Sequence, residues 1–499
     1  MRNKFRWTTA LLFVVPMAWS SVAIASCFVP STPNDGYFDQ TWGGAGLGCV
    51  QFNGDNSDSQ AGSNVKKIIP TSGGSLVLGG AASGNHGISY WWVGKLDASG
   101  AFDPAFGDVD NSGRITECTL GAACGSQGFK DFDLQQDGKV AVLDNSTIRR
   151  TTANAHAFDT AGVVGGTGSI YGSFLIGTPN ATLYAALQDS YGGIATAPGG
   201  QTFAIGFGWG AVNANFGIAR LNTDLSLDTA FHAGSSGGIT WAGGNLIELG
   251  TSAEASQIFQ QADGKIVLAG SNGYRDILIA RLTANGVPDT TFNSTGFQVI
   301  GTAPFPVPPA PILNEAAPVR PAVIDRAGRV VIVFDGYDGS YYGPLVTRFK
   351  ADGTPDTSWN ASYAAGWAFY SHGTSPALSC TSFQPSQVGP LAIDGAGRIL
   401  IYGMCDSEFG VIRLRGDTGA LDTSWGINGV SHGDFDTSGH NDEVDSIVFD
   451  NAGHLFIGGG TNIGASGPQT AVVARLTYDL IYTSDFESLP RGCSPPQCN

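Results

Sequence analysis

The stretch Asp263-Gly264-Lys265-Ile266-Val267-Leu268-Ala269 is a turn followed by an apolar run, and six other stretches of the chain share its pattern. The glycines in the second position of the seven copies are Gly74, Gly138, Gly200, Gly264, Gly328, Gly397 and Gly453. Successive glycines are 56 to 69 residues apart. A recurring period of this length indicates a repeat architecture.

The unit around this stretch, residues 227–282, predicts four short β-strands. It opens with Leu227-Asp228-Thr229-Ala230-Phe231, passes through apolar runs near 239–241, 258–260 and 266–270, and closes on 277–282. Runs of this length bounded by Gly, Asn and Asp are typical of strands joined by tight turns. The glycine predicts a bulged hairpin turn, because glycine adopts a left-handed backbone without steric cost.

Seven such units favour a closed ring. An opening segment with an aspartate recurs, beginning at Phe38, Phe102, Phe158, Leu227, Pro288, Pro355 and Leu421. Units close on a basic residue followed by an apolar one, and the basic residues are Lys95, Arg220, Arg281, Arg348, Arg413 and Arg475. Only in the second unit is this pair indistinct. The strands are nearly continuous apolar runs, so both faces of each sheet should be buried between neighbours. The sequence therefore predicts an all-β fold, a seven-bladed β-propeller of about four antiparallel strands per blade. An open solenoid of the same units is the alternative.

The string LDTAF at 227–231 with QQADGKIVLAGSNGYRDILIARLTANGVPDTTF at 260–292 resembles the delta-60 repeat. The resemblance extends over residues 36–476 and weakens in the second and third units. It implies an exported bacterial protein with a propeller-like architecture. It carries no catalytic residue and no activity that transfers to this chain.

The first 25 residues read as a secretory signal peptide. Arg2, Lys4 and Arg6 precede an apolar run, and small residues stand before Ser26. We expect a propeller over 26–480, with the repeats at 36–476, and a C-terminal tail over 481–499. Cys27 also fits a lipidated residue, so both simple cleavage and lipid anchoring remain open. The protein is expected to be secreted, periplasmic or at the bacterial cell surface, without a transmembrane segment.

The eight cysteines lie in pairs of close sequence neighbours. An even set at short separations in an exported chain favours disulfides. We predict the bonds Cys118–Cys124, Cys380–Cys405 and Cys493–Cys498.

The charge pattern excludes a nucleic-acid partner. The net charge is −17, and cleavage after residue 25 removes three cations and leaves −20. No basic stripe is present, so the electrostatic signature of a nucleic-acid-binding protein is missing. The chain is expected to be a monomer.

One stretch resembles a calcium loop. Asp108, Asp110, Ser112 and Thr116 place oxygen atoms at alternate positions around Gly113, as a hard cation requires. Ser112 and Thr116 stand where such loops carry carboxylates, so an ordinary Asp/Gly turn is the alternative, and calcium is the only cofactor considered. A second acidic stretch, 432–445, has either a metal-binding or a solvated-loop interpretation. No nucleophile motif is present, so no catalytic residue is assigned.

The repeat is interrupted most strongly in its fifth and sixth units. Residues 301–321 contain seven prolines, which favour an extended chain. Nearby aromatic residues suit a sugar or peptide ligand if they are exposed, and otherwise fill a long insertion. The candidate ligand-binding residues are Tyr341, Tyr342, Tyr363, Trp367 and Tyr370, with Trp367 and Tyr370 foremost.

The sequence thus favours a secreted, non-enzymatic propeller that binds a glycan or protein partner through loops on one face. The alternative is a propeller hydrolase or lyase with a divalent cation in its central channel. An enzyme should bring carboxylate, Asn or His side chains together on the axis, whereas a binding scaffold should not. Fold alone does not separate the two.

Overall fold

The protein is a seven-bladed β-propeller, as the sequence predicts. The computed structural model describes residues 36–43, 48–52, 62–83, 89–107, 112–116, 129–144, 148–164, 173–178, 181–186, 193–209, 214–236, 239–241, 243–247, 253–271, 277–300, 312–313, 322–359, 366–386, 391–435, 441–462 and 469–478. Within these ranges the helical part is one 3-10 turn, Ala153–Ala155. All pairings between the strands are antiparallel.

The first three blades follow the chain order. Blade 1 consists of β2 (Gly62–Ser63), β3 (Lys67–Pro70), β4 (Leu76–Ser83), β5 (Ser89–Leu96) and β6 (Arg114–Thr116). Blade 2 consists of β7 (Phe129–Leu134), β8 (Val140–Asp144), β9 (Ile148–Thr151) and β10 (Phe158–Val164). Blade 3 consists of β11 (Ser173–Thr178), β12 (Ala181–Ala186), β13 (Gly193–Thr196), β14 (Thr202–Trp209), β15 (Ala214–Leu221) and β18 (Gly244–Ile247). A separate hairpin follows β15 and consists of β16 (Gly234–Ser236) and β17 (Ile239–Trp241).

The next three blades repeat this plan. Blade 4 consists of β19 (Glu254–Gln260), β20 (Ile266–Ser271), β21 (Ile277–Leu282) and β22 (Phe297–Ile300). Blade 5 consists of β23 (Ile312–Leu313), β24 (Ala322–Ile324), β25 (Val330–Tyr337), β26 (Tyr342–Phe349) and β27 (Trp367–Phe369). Blade 6 consists of β28 (Phe383–Pro385), β29 (Ala392–Ile393), β30 (Ile399–Cys405), β31 (Glu408–Leu414) and β32 (Val430–Gly433).

Blade 7 is assembled from both ends of the chain. It consists of β33 (Asp442–Phe449), β34 (Leu455–Asn462), β35 (Gln469–Leu476) and, as its outer strand, β1 (Cys49–Phe52). The isolated bridge between Phe38 and Leu476 repeats the bridge between Leu282 and Pro288. The N-terminal opening segment therefore completes the C-terminal closing segment, and hydrogen bonds between the two segments close the ring.

The predicted turn glycines lie at hairpin tips. Gly264 joins β19 to β20 with a φ of 81°, and its amide donates to the carbonyl of Gln261. The other six glycines of the set lie between the first two main strands of their blades with φ between 75° and 84°. This conformation is one that a residue with a Cβ rarely adopts, which explains why glycine recurs there.

In six of the seven repeats, an ion pair among the described residues joins the closing segment to the following opening segment. Arg281 Nε lies 2.8 Å from Asp289 Oδ2, both side chains are buried, and the guanidinium lies over the ring of Phe292. The equivalent pairs are Lys95–Asp103, Arg220–Asp228, Arg348–Asp356, Arg413–Asp422 and Arg475–Asp39. The repeated charges are thus part of the structure of each blade, as their repetition indicates.

Aromatic residues of the opening segments link successive blades. A Cβ on Gly286 would meet the ring of Phe231 at 2.5 Å, and a Cβ on Gly353 would meet the ring of Phe292 at 2.7 Å. The same contact occurs across the seam, where the ring of Trp425 lies against Gly36. The segment that begins at Gly36 is therefore held to blade 6 by the same kind of contact that links the other blades.

These connections divide the ring into two faces. In an antiparallel four-stranded blade, the first and third connections lie at one end and the others lie at the opposite end. The face that carries the glycine turns and the ion-paired closing turns is called the constant face, and the opposite one the variable face. Gly264 and Ala284, from two different turns of blade 4, are neighbours on the constant face.

Candidate functional site

The variable face carries the segments that differ from blade to blade. It includes the tip of the β25–β26 hairpin at 337–342 and the connection 370–382 between blades 5 and 6. The turns of the constant face are nearly identical in all units, so they serve the ring itself. A function specific to this protein is therefore best sought on the variable face.

The hairpin tip of blade 5 presents a pair of tyrosines. Tyr337 and Tyr342 are cross-strand partners at the ends of β25 and β26. Their ring centroids are 4.7 Å apart with an interplanar angle of 34°. Tyr342 is 36% exposed, and the hydroxyl of Tyr337 donates to the carbonyl of Gly339 at 2.8 Å. An aromatic surface is thus held at the edge of the variable face.

A second aromatic contact lies beside the first. The rings of Tyr341 and His372 are 5.2 Å apart, and the Nδ1–H of His372 donates to the carbonyl of Leu378. The carboxylate of Asp338 accepts the amides of Ser340 and Tyr341 at 2.8–2.9 Å. We call Tyr337, Tyr341, Tyr342 and His372 the tyrosine cluster.

The connection that supplies His372 is anchored at several points. The hydroxyl of Ser371 donates to Asp338 Oδ2 at 3.0 Å. Cys380 is disulfide-bonded to Cys405 at the end of β30, with the two Cα atoms 5.5 Å apart. Asp406 accepts the hydroxyl of Thr381. This part of the variable face is pre-organised, because its backbone is fixed to both blade 5 and blade 6.

The structure separates the predicted ligand-binding residues. Tyr341 and Tyr342 belong to the tyrosine cluster, and Tyr363 lies outside the described residues. The expectation that Tyr370 is exposed is wrong: it is 4% exposed, and its hydroxyl donates to the carbonyl of Gly419. Trp367 is partly buried in β27 against Phe334. Trp367 and Tyr370 belong to the core because they lie on or directly after the outer strand of blade 5.

His372 and Tyr337 are not among the ligand-binding residues predicted from the sequence. For Tyr337 the available signal is spacing. Tyr337 and Tyr342 flank Asp338-Gly339-Ser340-Tyr341, which contains a turn sequence, so a hairpin places the two tyrosines opposite one another.

The predicted calcium loop is only partly described. Asp108 and Asp110 lie outside the described residues. The hydroxyl of Ser112 is hydrogen-bonded to the backbone of Arg114, and Thr116 is buried in β6 opposite Trp92. The calcium site therefore stays a prediction.

The second acidic stretch takes part in local contacts. His432 Nδ1 lies 2.9 Å from Glu408 Oε2 on the neighbouring strand. The buried Asp442 accepts the amide of Phe435 at 2.6 Å. Residues 436–440 lie outside the described part of the chain. Across the described ranges, no three His, Cys, Asp or Glu side chains are grouped as metal ligands.

Charged residues on the innermost strands join neighbouring blades. Lys66 Nζ lies 2.7 Å from Asp445 Oδ2, which links blade 1 to blade 7. Lys67 Nζ lies 2.9 Å from Asp131 Oδ1, which links blade 1 to blade 2. Asp131 also accepts the amide of Ile194 in blade 3 at 2.9 Å. These carboxylates thus bridge three blade interfaces in succession.

Two acids on the innermost strands, Asp445 and Asp133, have raised pKa values because they are buried. Burial raises the pKa of Asp445 to about 7, against the opposing charge of Lys66. Burial likewise raises the pKa of Asp133, although Lys67 and the amide of Thr196 favour its charged form. Both acids are held in contacts between blades.

Comparisons with known proteins support a propeller repeat family. Residues 200–231 and 261–292 match the family model described as a domain of unknown function (DUF5122) beta-propeller. Each match contains a glycine turn, the closing segment that follows it and the next opening segment. A search of curated proteins found no match.

Solved structures of propellers resemble this chain in outline. The polysaccharide lyase Uly1 is 10% identical, with a TM-score of 0.42, over 82% of this chain and 89% of that chain. Chaetomium thermophilum Sqt1, bound to the N-terminus of ribosomal protein L10, is 10% identical, with a TM-score of 0.37, over 83% and 97%. A glucose dehydrogenase is 11% identical, with a TM-score of 0.34, over 70% and 97%. These similarities are too low to carry any argument about activity.

Two features of the structure concern the cellular location of the protein. In the described part of the chain, no helix has the length and apolar character needed to cross a membrane. The disulfide Cys380–Cys405 is compatible with an extracellular location.

Proposed function

We propose that this protein is an exported, non-enzymatic β-propeller that binds a glycan or protein partner through its variable face. The observation that carries the proposal is the division between the two faces. The repeated turns and ion pairs lie on the constant face, whereas the tyrosine cluster and its anchored connection lie on the variable face.

The route of the chain ends supports this orientation. The amide of Gly36 donates to the carbonyl of Thr477, so both ends of the described chain meet at a closing turn on the constant face. The segment that precedes Gly36 in the sequence, with the predicted signal peptide and Cys27, is therefore joined to the ring at the constant face. The variable face lies at the opposite end of the blades from this attachment point.

The inner-strand carboxylates support a binding scaffold over the alternative enzyme. Asp445 and Asp131 contact lysine side chains, and Asp133 accepts the amide of Thr196. Asp131 and Asp445 are thus occupied by contacts between neighbouring blades. No contact among the described residues favours a cation-dependent hydrolase or lyase, so we propose no second function.

The proposal is tested by photocrosslinking at one position on each face. A benzophenone amino acid replaces the exposed Ser340 on the variable face or the exposed Ala262 on the constant face. The purified proteins are irradiated with envelope and culture-supernatant fractions of the producing bacterium. We expect a discrete adduct from the Ser340 variant and none from the Ala262 variant. Equal adducts from both variants, or none from either, would contradict the proposal.

A further inference from the structure

We infer that Cys27 is the disulfide partner of Cys49, and that the exported protein is therefore released without a lipid anchor. The sequence leaves the thiol of Cys27 two chemical fates, a thioether to a lipid or a disulfide. The two fates exclude one another, because both use the same sulfur atom. The inference goes beyond the proposed function, since it concerns how the N-terminal end is held and not what the variable face binds.

The observation that carries the inference is the state of Cys49. This cysteine is disulfide-bonded, lies opposite Ala474 in the outer strand of blade 7, and is 3% exposed. Cys380 and Cys405 are bonded to each other, so neither is its partner. Five cysteines remain, and all of them lie outside the described residues: Cys27, Cys118, Cys124, Cys493 and Cys498.

Counting the cysteines separates the two fates of Cys27. A lipid on Cys27 leaves seven of the eight cysteines for disulfides. The three bonds predicted from the sequence use six of these seven and leave Cys49 as the single free thiol. That outcome is excluded, because Cys49 is bonded. If Cys49 bonds instead to one of the four distal cysteines, one of the other three stays a free thiol. A bond between Cys27 and Cys49 pairs all eight, as expected of an exported chain.

The length of the chain allows this bond. The amide of Gly36 donates to the carbonyl of Thr477, and Cys49 lies opposite Ala474, three residues earlier in the same segment. Three residues of a strand span about 10 Å. Cys27 precedes Gly36 by nine residues, which extend to at most about 30 Å. The tether is therefore long enough for Cys27 to reach Cys49.

The bond forms by two successive thiol–disulfide exchanges with a disulfide-donating oxidoreductase of the export compartment. The thiolate of one cysteine attacks the donor disulfide, which gives a mixed disulfide and releases one donor thiol. The thiolate of the other cysteine then attacks the protein sulfur of the mixed disulfide and releases the second donor thiol. Two protein thiols thus lose two electrons and two protons, and the donor disulfide gains them.

The bond has a consequence for the seam of the ring. The loop that it closes contains the opening segment with Asp39, which pairs with Arg475, and Trp42, whose ring lies 5.2 Å from that of Phe456. Closing a loop removes freedom from the unfolded chain, so the bond favours the state in which this segment is docked on blade 7.

The test is peptide mapping of the protein purified from the producing bacterium, with thiols blocked before lysis and no reductant. Cleavage before aspartate places Cys49 in peptide 39–54, apart from all other cysteines. Cys27 then lies in 26–34, Cys118 and Cys124 lie in 110–130, and Cys493 and Cys498 lie in 485–499. We expect mass spectrometry to find 39–54 joined to 26–34. The link between 356–393 and 394–405, made by Cys380 and Cys405, is the internal control.

Three results would overturn the inference. The first is a link from 39–54 to 110–130 or to 485–499, and the second is a free thiol on Cys49. The third is a lipid on Cys27, detected by metabolic labelling with an alkyne-bearing fatty acid or by a shift of the protein from the membrane to the soluble fraction in Cys27→Ser. We expect no label, and both the wild type and Cys27→Ser in the soluble fraction.

Melting temperatures provide a second measurement. Cys27→Ser should lower the melting temperature of the wild type by several degrees but have no effect in the Cys49→Ser background, because the bond is already lost there. In the control background Cys380→Ser, the same substitution should keep its full effect. An equal loss in both backgrounds would contradict the pairing. The Ser340 photocrosslink tests the proposed function separately, because it reports on the variable face and not on these cysteines.

Discussion

Asp445 is the residue in which burial and charge conflict most directly. Its carboxylate has no exposed surface and contacts Lys66 at 2.7 Å across the interface between blades 7 and 1. Its pKa is raised from an ordinary 3.8 to about 7, chiefly by burial. A carboxyl with a raised pKa binds its proton more tightly in the folded state, so its contribution to stability is lost as the pH rises from about 4 to 7.

We therefore predict that Asp445→Asn becomes progressively more stabilising as the pH is raised. The free energy of unfolding of the variant, minus that of the wild type, should increase by roughly 3–4 kcal/mol between pH 4 and pH 8. Urea titrations at four pH values measure this difference. A difference for Asp445→Asn that does not vary with pH would contradict the prediction.

Two glycines with the same backbone conformation should respond differently to a methyl group. Gly138 has a φ of 79° and nothing within 4 Å of a Cβ, whereas Gly353 has a φ of 83° and the ring of Phe292 at 2.7 Å. Gly138→Ala should cost about 1 kcal/mol from backbone strain alone. Gly353→Ala should cost about 2–3 kcal/mol more, because it also displaces a packed ring. Urea unfolding of both variants checks this, and equal losses would show that the contact with Phe292 adds nothing.

At the scale of single residues, the sequence predicts what the repeat enforces. The turn glycines and the ion pairs recur at fixed spacing, so their role is visible without a structure. Tyr370 is different, because its neighbours Gly366 and Gly373 suggest a loop while the chain places it directly after the outer strand of blade 5. The sequence does not show that the carbonyl of Gly419, some fifty residues away, accepts its hydroxyl.

At the scale of elements, the sequence unit and the blade are offset by one strand. The unit 227–282 contains the outer strand of blade 3, at Gly244–Ile247, and three strands of blade 4. About four strands per blade are correctly predicted, but the strand expected at 239–241 is β17 of the separate hairpin, and the outer strand of blade 3 follows it. Which strands share a sheet is set by packing around the axis. That packing depends on long-range pairing, which local sequence does not specify.

The anchored connection after blade 5 leads to a prediction about its disulfide. Cys380–Cys405 closes a loop of 25 residues, and a cross-link of that size contributes about 3 kcal/mol to stability. Cys380→Ser should lower the free energy of unfolding by about this amount, and adding a reductant should destabilise the wild type more than the variant, in which only the other disulfides can be reduced. Mass mapping of non-reduced peptides should find this pair, together with Cys118–Cys124 and Cys493–Cys498. Free thiols at 380 and 405 would contradict the assignment.

At the scale of the whole molecule, seven units predict a closed ring, and the structure shows how the closure is made. The amide of Thr477 donates to the carbonyl of Tyr37, just as the amide of Thr283 donates to the carbonyl of Val287 in blade 4. Both ends of the described part of the chain therefore lie inside one closing turn. The sequence contains both halves of this motif but cannot show that they meet, because they lie more than 430 residues apart.

Deleting residues 36–52 should open the ring. The deletion removes β1 from the edge of β35, Asp39 from Arg475 and Gly36 from the ring of Trp425. It leaves an unpaired edge strand and a buried guanidinium without its carboxylate, and breaking such a pair typically costs 3–5 kcal/mol. We expect a lower melting temperature and aggregation, measured by calorimetry and light scattering. Because Cys49 is disulfide-bonded, Cys49→Ser in the full chain separates the loss of this cysteine from the loss of the strand.

A circular permutant provides the complementary test of the seam. Leu282 and Pro288 are joined by five residues, whereas Thr477, Tyr478, Gly36 and Tyr37 occupy four places between Leu476 and Phe38. Joining Tyr478 to Gly36 through a single asparagine therefore restores an ordinary closing turn, and new ends are made between the exposed Ala262 and Asp263. The permutant should melt at or above the temperature of the wild type, because a covalent link replaces an association of two chain ends. If the permutant fails to fold while the 36–52 deletion variant melts like the wild type, the N-terminal segment is not what closes the ring.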